Sequence, residues 1–508
     1  MSTASTPRSL PLLALDAGRQ EAHALARQAW RMGKRGVQLR RFQSFWRRRH
    51  ERLRAASEDE LLEEQSAALR GIVRFAARAI PHYRDLFRSA GLDPESVRDA
   101  RDLRRLPILT RADIRAGFPD RLVHPGKSFR PYMLGRTSGS SSESMSFIRP
   151  PDRFRRSLYY SVLWRCGGST RAQVYVLSTP ICTPNTCSLD AAAAESRARR
   201  SLARVLHGVA PVRHLGGMIG LPSTSSNVLT AGEELFGPIR RQLLEGAEPP
   251  VLIADPVYLA AFVRHLRRTG QTPPPLRAVI CTYELLTPST RDLLASAFNC
   301  PIRTQYGSSE INDIADECEE GSLHVRMDEV VVEVLRGGRP AAPGELGRVV
   351  VTDLRNTNMP LLRYDIGDVA RAGEGPCPCG RAGQILGAIE GRAGDVFEAE
   401  GREITPLAVD SLFRGLPGWS AYRVVQAASR RRYRLSVMAA EESAFDGLRR
   451  ALEPRARRLF GEKARVRVER VREIEPEASN KFRFSYSRLG RAALPAPLAL
   501  PGEEGGAP

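Results

Sequence analysis

An α/β fold in two parts is what this 508-residue sequence predicts: a large N-terminal unit of parallel-rich sheets with helices plus an antiparallel β segment, then a small mobile α+β unit. Three observations lead there. From Leu106 onward, short β-rich runs alternate with helical segments, the rhythm of βα crossovers. Residues 329–335 and 347–352, joined through the Gly/Pro-rich turn 337–344, read as an antiparallel pair. Beyond Gly391 the pattern resets to a β-β-α-β module of about a hundred residues, sized as a separate domain.

The elements follow in chain order. Residues 17–90 carry apolar positions at helical spacing, with Trp30, Phe42, Phe45 and Trp46 as expected buried anchors. Strands are expected at 174–176, 251–253, 276–281 and 302–304, with helices at 257–268 and 288–298 between them. In the C-terminal part, strands at 422–427 and 433–438 flank the polar turn 428–432, followed by a helix at 442–459 and a strand at 464–471. The expected division is 1–60 as a basic helical extension, 61–391 as the large domain, 392–490 as the small one and 491–508 as a disordered tail rich in Pro, Gly, Ala and Glu.

Composition narrows the class. Hydrophobic residues make up 42% and charged residues 26%, ordinary for a soluble globular protein. No apolar run approaches the roughly 18 to 20 residues that span a membrane, and residues 1–15 do not have the form of a secretory signal; the expected location is the cytoplasm. The 77 Lys+Arg against 57 Asp+Glu give a net charge of +20. Much of it sits in Arg-rich stretches, above all 27–54, and lysine is almost absent. With no aromatic–basic platform beside it, the charge reads as solvated surface, and no nucleic-acid partner is expected. Eight cysteines in a long chain do not suggest a disulfide framework.

Five polar motifs carry chemistry. Thr137-Ser138-Gly139-Ser140-Ser141-Ser142 crowds hydroxyls and backbone N–H groups around a glycine, a loop able to wrap phosphate oxygens. Tyr306-Gly307-Ser308-Ser309-Glu310 follows a strand, and Tyr364-Asp365-Ile366-Gly367-Asp368 follows the antiparallel pair. Gly391-Arg392-Ala393-Gly394-Asp395 opens the small domain, and Asn480-Lys481-Phe482-Arg483 stands near its end. Their order and spacing, with 106–114 and Cys377-Pro378-Cys379-Gly380-Arg381 in support, resemble the adenylate-forming superfamily of acyl-CoA synthetases and adenylation domains. Within it the chain is most similar to the phenylacetate–CoA ligase and capsule-biosynthesis branch, over roughly residues 60 to 490.

The resemblance implies an AMP-forming ligase that takes ATP, Mg²⁺ and a carboxylic acid, and passes the acyl group to CoA. A second reading keeps the first step but transfers to an amine or hydroxyl, as in natural-product or polysaccharide tailoring; a third is a catalytically weak binding or scaffold relative. Thr137, Ser138, Gly139, Ser140 and Ser141 would hold the β- and γ-phosphates. Tyr306 and the Thr282-Tyr283-Glu284 segment would sandwich the adenine, Gly307 would belong to the same nucleotide site, Ser309 would touch the α-phosphate, and Glu310 would hold Mg²⁺. Asp368 would accept from both ribose hydroxyls, and Arg392 would reach the ribose or phosphates. Lys481, a compact cation on a long stem, would bridge the attacking carboxylate and the α-phosphate.

The sequence departs from the family pattern in three places, one of them three residues long. Ser142, Glu143 and Ser144 stand where Gly-Lys-Pro is usual, Gly394 replaces a hinge aspartate, and Asn480 replaces a glycine, which suits Asn because it tolerates left-handed backbone angles. Cys318, His324, Cys377 and Cys379 offer three sulfurs and one imidazole, a standard set for structural zinc. Tyr132 and 215–220 are the expected walls of the acyl pocket. A dimer is compatible with the sequence.

Overall fold

The computed structural model describes residues 45, 48–126, 133–137, 145–149, 173–178, 213–214, 218–224, 226–246, 248–477 and 480–489. Its frame is a thirteen-stranded mixed sheet, and one strand divides it. On one side of Ile302–Ser308, strands Ala278–Cys281, Val251–Ala254, Val174–Leu177 and Met218–Gly220 follow in parallel, and the two-residue Arg213–His214 ends the sheet antiparallel. On the other side, Asn312–Glu317 pairs antiparallel and leads through Leu323–Val325, Ile385–Arg392, Tyr364–Ala372, Leu346–Asp353 and Val330–Arg336 to Arg339–Pro340.

The parallel half forms where the sequence is apolar on both faces of a strand. Val174–Leu177, Val251–Ala254 and Ala278–Cys281 are buried at every position, as strands with helices on each side must be. Helix Pro256–Arg268 follows its strand directly. The buried Asp255 caps it by accepting from the N–H groups of Val257 and Tyr258, and Pro256 supplies the preset φ of a first turn.

Within the described residues the expected strands and helices are present, and two strands reach into motifs expected to lie beyond them. The strand expected at 302–304 runs on to Ser308, so Tyr306 and Gly307 lie within it rather than after it. Tyr364–Ala372 is a strand paired with Leu346–Asp353, so the Asp368 motif belongs to the antiparallel sheet rather than to a loop after it. In the N-terminal part, helices Glu58–Ala79 and Pro81–Ser89 meet the helical expectation, the first with a capping box of Ser57 and Glu60. Phe45, however, is 53% exposed rather than buried. Trp30, Phe42 and Trp46 lie outside the described residues, as does 491–508.

After Arg392 the chain leaves the large sheet. Gly391 has φ +118, and a Cβ there would stand 2.5 Å from Pro406 Cγ, so only glycine fits. A short hairpin, Phe397–Ala399 with Arg402–Ile404, and helix Pro406–Asp410 come first. A four-stranded sheet follows, in the order Arg465–Val471, Arg432–Ala439, Trp419–Gln426, Ser485–Ser487, with helix Glu442–Phe460 packed on it. The last strand is one more than the β-β-α-β expectation, and it runs parallel to Trp419–Gln426. Ala421, Met438, Ile474 and Phe482 of this C-terminal module share an apolar cluster with Phe236 and Phe262 of the large unit.

Candidate active site

The dividing strand Ile302–Ser308 switches the sheet from parallel to antiparallel, and open α/β sheets place crevices at such points. A cavity of about 490 Å³ opens here. It is lined by Tyr306, Glu310, Asp368 and Arg392 from the large sheet, by Thr137, Tyr283 and Glu284 from loops, and by Lys481 from the C-terminal module.

Asp368 is the hub of one side. Tyr306 Oη–H donates to Asp368 Oδ2 at 3.0 Å, and Arg392 Nη1 donates to Oδ1 at 2.7 Å and to the Ile366 carbonyl at 3.1 Å. Asp368 and Arg392 are cross-strand partners, which fixes this geometry through the backbone. The adjacent carboxylate of Asp368 raises the Arg392 guanidinium further above its ordinary value, while burial and then Asp368 push the Tyr306 phenol well above 10. Arg392 therefore stays charged and the Tyr306 phenol stays protonated at neutral pH.

Glu310 is 3% exposed, and Tyr364 Oη–H donates to its Oε1 at 2.8 Å. One carboxylate oxygen is thereby oriented, and the second is available as a hard donor. The Ser309 carbonyl accepts from Arg149 Nη1 at 2.8 Å, and the same guanidinium reaches the Asn312 side-chain oxygen. That contact holds the backbone around Ser309 in place.

Lys481 arrives on a segment with Asn480 at φ +57, the left-handed angle that asparagine was expected to tolerate. Its Nζ donates to the Tyr283 carbonyl at 3.0 Å, and the next residue, Phe482, donates its N–H to Glu284 Oε1 at 3.1 Å. Tyr283 itself has φ +75, uncommon for a bulky side chain, and this strained turn aims its carbonyl at Lys481. Arg483 Nε donates to Asp395 Oδ1 at 2.5 Å and pins the start of the module to its end.

Thr137 is buried, and it exchanges hydrogen bonds with Met145: its N–H donates to the Met145 carbonyl at 2.8 Å, and its Oγ1 accepts from the Met145 N–H at 2.9 Å. The phosphate-loop positions Ser138, Gly139, Ser140 and Ser141, together with Ser142, Glu143 and Ser144, lie outside the described residues; so do Tyr132 and 215–217 of the expected acyl pocket.

Away from the cavity, Cys318, His324, Cys377 and Cys379 bring their ligand atoms within 4.8 Å of one another. Cys318 Sγ lies 3.6 Å from Cys377 Sγ, and Cys379 Sγ lies 3.3 Å from His324 Nε2. A disulfide would need about 2.05 Å, whereas the edges of a ZnS₃N tetrahedron are about 3.5 to 3.8 Å. The donor set therefore fits zinc. Burial, then the Arg381 guanidinium, push His324 down to about 4, leaving the neutral imidazole that a metal requires.

The cavity thus joins Tyr306, Gly307, Ser309, Glu310, Asp368, Arg392, Tyr283, Glu284, Thr137 and Lys481, while the cysteine–histidine set forms its own cluster. Arg149, Tyr364, Arg111 and Arg483 also line or support the cavity and were not singled out from sequence. Tyr364 stood at the head of a recognised motif; nothing in the sequence marked Arg149.

No family model matches the chain. Among curated proteins, a phenylacetate–coenzyme A ligase of Thermus thermophilus is 26% identical over 372 residues, 71% of this chain and 76% of that protein. Protein CapK of Staphylococcus aureus is 38% identical over 91 residues, 18% of this chain and 19% of that protein. Among solved structures, 2-hydroxyisobutyryl-CoA ligase in the postadenylation state superposes with a TM-score of 0.67 at 17% identity, covering 85% of this chain and 91% of that one. The same ligase in the thioesterification state gives 0.52, covering 86% and 91%. The chain is similar to the phenylacetate–coenzyme A ligases and has the fold of 2-hydroxyisobutyryl-CoA ligase.

Proposed function

We propose that the chain activates an organic or aryl carboxylic acid with ATP and transfers the acyl group to coenzyme A. The observation that carries this reading is the convergence of Lys481 with Glu310, Tyr306, Asp368 and Arg392 in one cavity, although Lys481 comes from a different sheet system. In the first step, a carboxylate oxygen attacks the α-phosphorus, the bond to the β-phosphate bridging oxygen breaks, and pyrophosphate leaves. In the second, the CoA thiol attacks the acyl carbon, a C–S bond forms, the C–O bond to AMP breaks, and the thiol proton goes to solvent.

The residues then divide the work. Asp368, held by Tyr306 and Arg392, accepts from the ribose hydroxyls, and Tyr306 with Tyr283 and Glu284 frames the adenine. Thr137, with Ser138 to Ser141 beyond the described residues, takes the β- and γ-phosphates, with Ser309 at the α-phosphate. Lys481 neutralises charge shared between the attacking carboxylate and the α-phosphate, the placement that matters most when charge spreads in a transition state. Glu310 offers an oriented oxygen for Mg²⁺, which would supply charge neutralisation at the phosphates. Cys318, His324, Cys377 and Cys379 would hold a structural Zn²⁺ with no open position.

The division at 391/392 into a large domain and a C-terminal lid belongs to the same reading. The higher score against the postadenylation state than against the thioesterification state supports taking the present arrangement as that of the first half-reaction. The C-terminal module then moves before acyl transfer. Among the described residues no helix is long and apolar enough to cross a membrane.

The experiment is ATP–pyrophosphate exchange against a panel of carboxylic acids, followed by product analysis with CoA, amines and hydroxyl acceptors. Acid-dependent exchange with thioester formation is expected. Exchange with no acid in the panel would overturn the reading, and amide or ester products in place of a thioester would move the acceptor.

A further inference from the structure

We propose that Asp410 is a positioning residue that latches the C-terminal module in its present arrangement by capping a helix of the large unit. The inference rests on the reading above, in which this arrangement serves adenylation and is left before acyl transfer.

Helix Pro288–Ala295 starts at Thr287, whose side chain accepts from the Thr290 N–H. The first N–H groups of a helix have no partner inside it, and that of Ser289 donates instead to Asp410 Oδ2 at 2.8 Å. Ser289 Oγ–H donates to Asp410 Oδ1 at 2.5 Å, and Tyr422 Oη–H donates to the same oxygen at 2.9 Å. Asp410 ends helix Pro406–Asp410, and Tyr422 lies on strand Trp419–Gln426, both in the C-terminal module. One carboxylate, 0% exposed, thus collects donors from both sides of the junction across 121 residues of sequence.

A buried bond from Thr405 to Glu390 sits beside the 391/392 boundary itself, whereas farther from it bonds cross the junction at exposed or half-buried positions: Arg414 to Asp292, Asn227 to Glu473 and the Ile474 carbonyl, and Lys481 to the Tyr283 carbonyl. Water can replace those with little loss. The Asp410 site is different, because its donors are dry only while the module is docked. A cation shares the same dry junction: Arg264 lies 5.0 Å over the Trp419 ring. Removing the carboxylate would leave Ser289 N–H, Ser289 Oγ–H and Tyr422 Oη–H buried without an acceptor in the docked arrangement, whereas an undocked arrangement would hand them to water. The penalty therefore falls on one arrangement, which is what a latch requires.

The test compares the full chain with Asp410→Asn, which keeps the shape and replaces one acceptor oxygen by a donor. The first readout is amide hydrogen exchange without substrate. The Phe482 N–H is held by Glu284 across the same junction, yet it does not touch Asp410. It should exchange about tenfold faster in the variant, in step with residue 289, as expected when an acceptor for buried donors is lost. Faster exchange confined to 288–295, or none, would reduce Asp410 to a local cap and overturn the latch. The second readout separates the half-reactions: pyrophosphate exchange should fall about tenfold, while thioester formation from supplied acyl-adenylate and CoA stays within about twofold. An equal fall in both would mean a structural role. Should Asp410→Asn fold poorly, Ser289→Ala removes one donor and should show the same split more weakly. Absence of exchange activity in the wild type would sink the functional reading alone, since the Phe482 amide decides the latch without any substrate.

Discussion

Replacing Lys481 by alanine removes the cation that the C-terminal module brings to the cavity. In the structure Lys481 Nζ donates to the Tyr283 carbonyl at 3.0 Å from a half-buried position. Losing that bond costs about 1 kcal/mol of stability at most, the net worth of a single hydrogen bond open to water. The chemical cost is larger. A placed donor or cation facing charge that develops in a transition state is worth about 10²–10³ in rate, or roughly 2.7–4 kcal/mol. Lys481→Ala should therefore lower acid-dependent pyrophosphate exchange at saturating ATP by at least about a hundredfold, with the melting temperature and ATP affinity nearly unchanged. Thioester formation from supplied acyl-adenylate should survive. Lys481→Arg should recover little, because a planar fork does not reproduce a compact ammonium between two anionic oxygens. Exchange at the wild-type rate in Lys481→Ala would refute the assignment, and equal loss of both half-reactions would assign the lysine to docking instead.

Asp368→Ala should raise the KM for ATP about tenfold or more with a smaller effect on kcat, because it strips an acceptor from Tyr306 and Arg392 as well as from the ribose; titration with AMP measures it directly, and unchanged AMP affinity would exclude the ribose role. Cys377→Ser combined with Cys379→Ser should abolish bound zinc and lower thermal stability, read by elemental analysis of metal-supplemented protein and by melting; full retention of zinc, or less than about a tenth of an equivalent in the wild type, would leave the cluster as a reduced turn. His50 is pushed down to about 4 from 6.5, first by burial and then by Arg54, Arg326 and Arg381. Its unfolded form binds the proton more readily, so stability is full above about pH 6.5, falls as the pH drops, and by pH 4 has lost roughly 3 kcal/mol that His50→Gln should restore in pH-dependent urea melts.

Some of this was legible in the sequence for a physical reason. The parallel strands announce themselves because both faces are buried, so Val251–Ala254 and Ala278–Cys281 are apolar throughout. Tyr364–Ala372 hides because it carries Asp365, Gly367 at φ +81, Asp368 and Arg371. Its pairing energy comes from neighbours rather than from propensity. Phe45 misled because helical spacing shows which residues share a face, not whether that face meets a core. At the site, Tyr306, Glu310, Asp368, Arg392 and Lys481 could be named from ordered motifs, and the structure gathers them in one cavity. Contacts such as Arg149 with Ser309, Tyr364 with Glu310 and Asp410 with Ser289 join single residues 160, 54 and 121 positions apart, and no local pattern encodes them.

The distribution of charge completes the picture of how such a site handles polyanions. The chain carries a net +20, yet the described lining of the cavity is balanced. Arg111, Arg149, Arg291, Arg392, Lys481 and Arg483 face Glu284, Glu310, Asp313, Glu317, Asp368 and Asp395. Most of these are committed to one another or to backbone: Arg392 to Asp368, Arg483 to Asp395, Arg291 to Glu317, Arg149 to the Ser309 carbonyl. A net positive surface favours the approach of ATP and CoA from a distance. Inside, paired charges give fixed dipoles that need no reorganisation when the reaction occurs. Lys481 donates to the Tyr283 carbonyl across the junction and is carried by a module with its own docking contacts. In the proposed reading, the large sheet sets where ATP lies, and docking of the C-terminal module decides when the last cation is present.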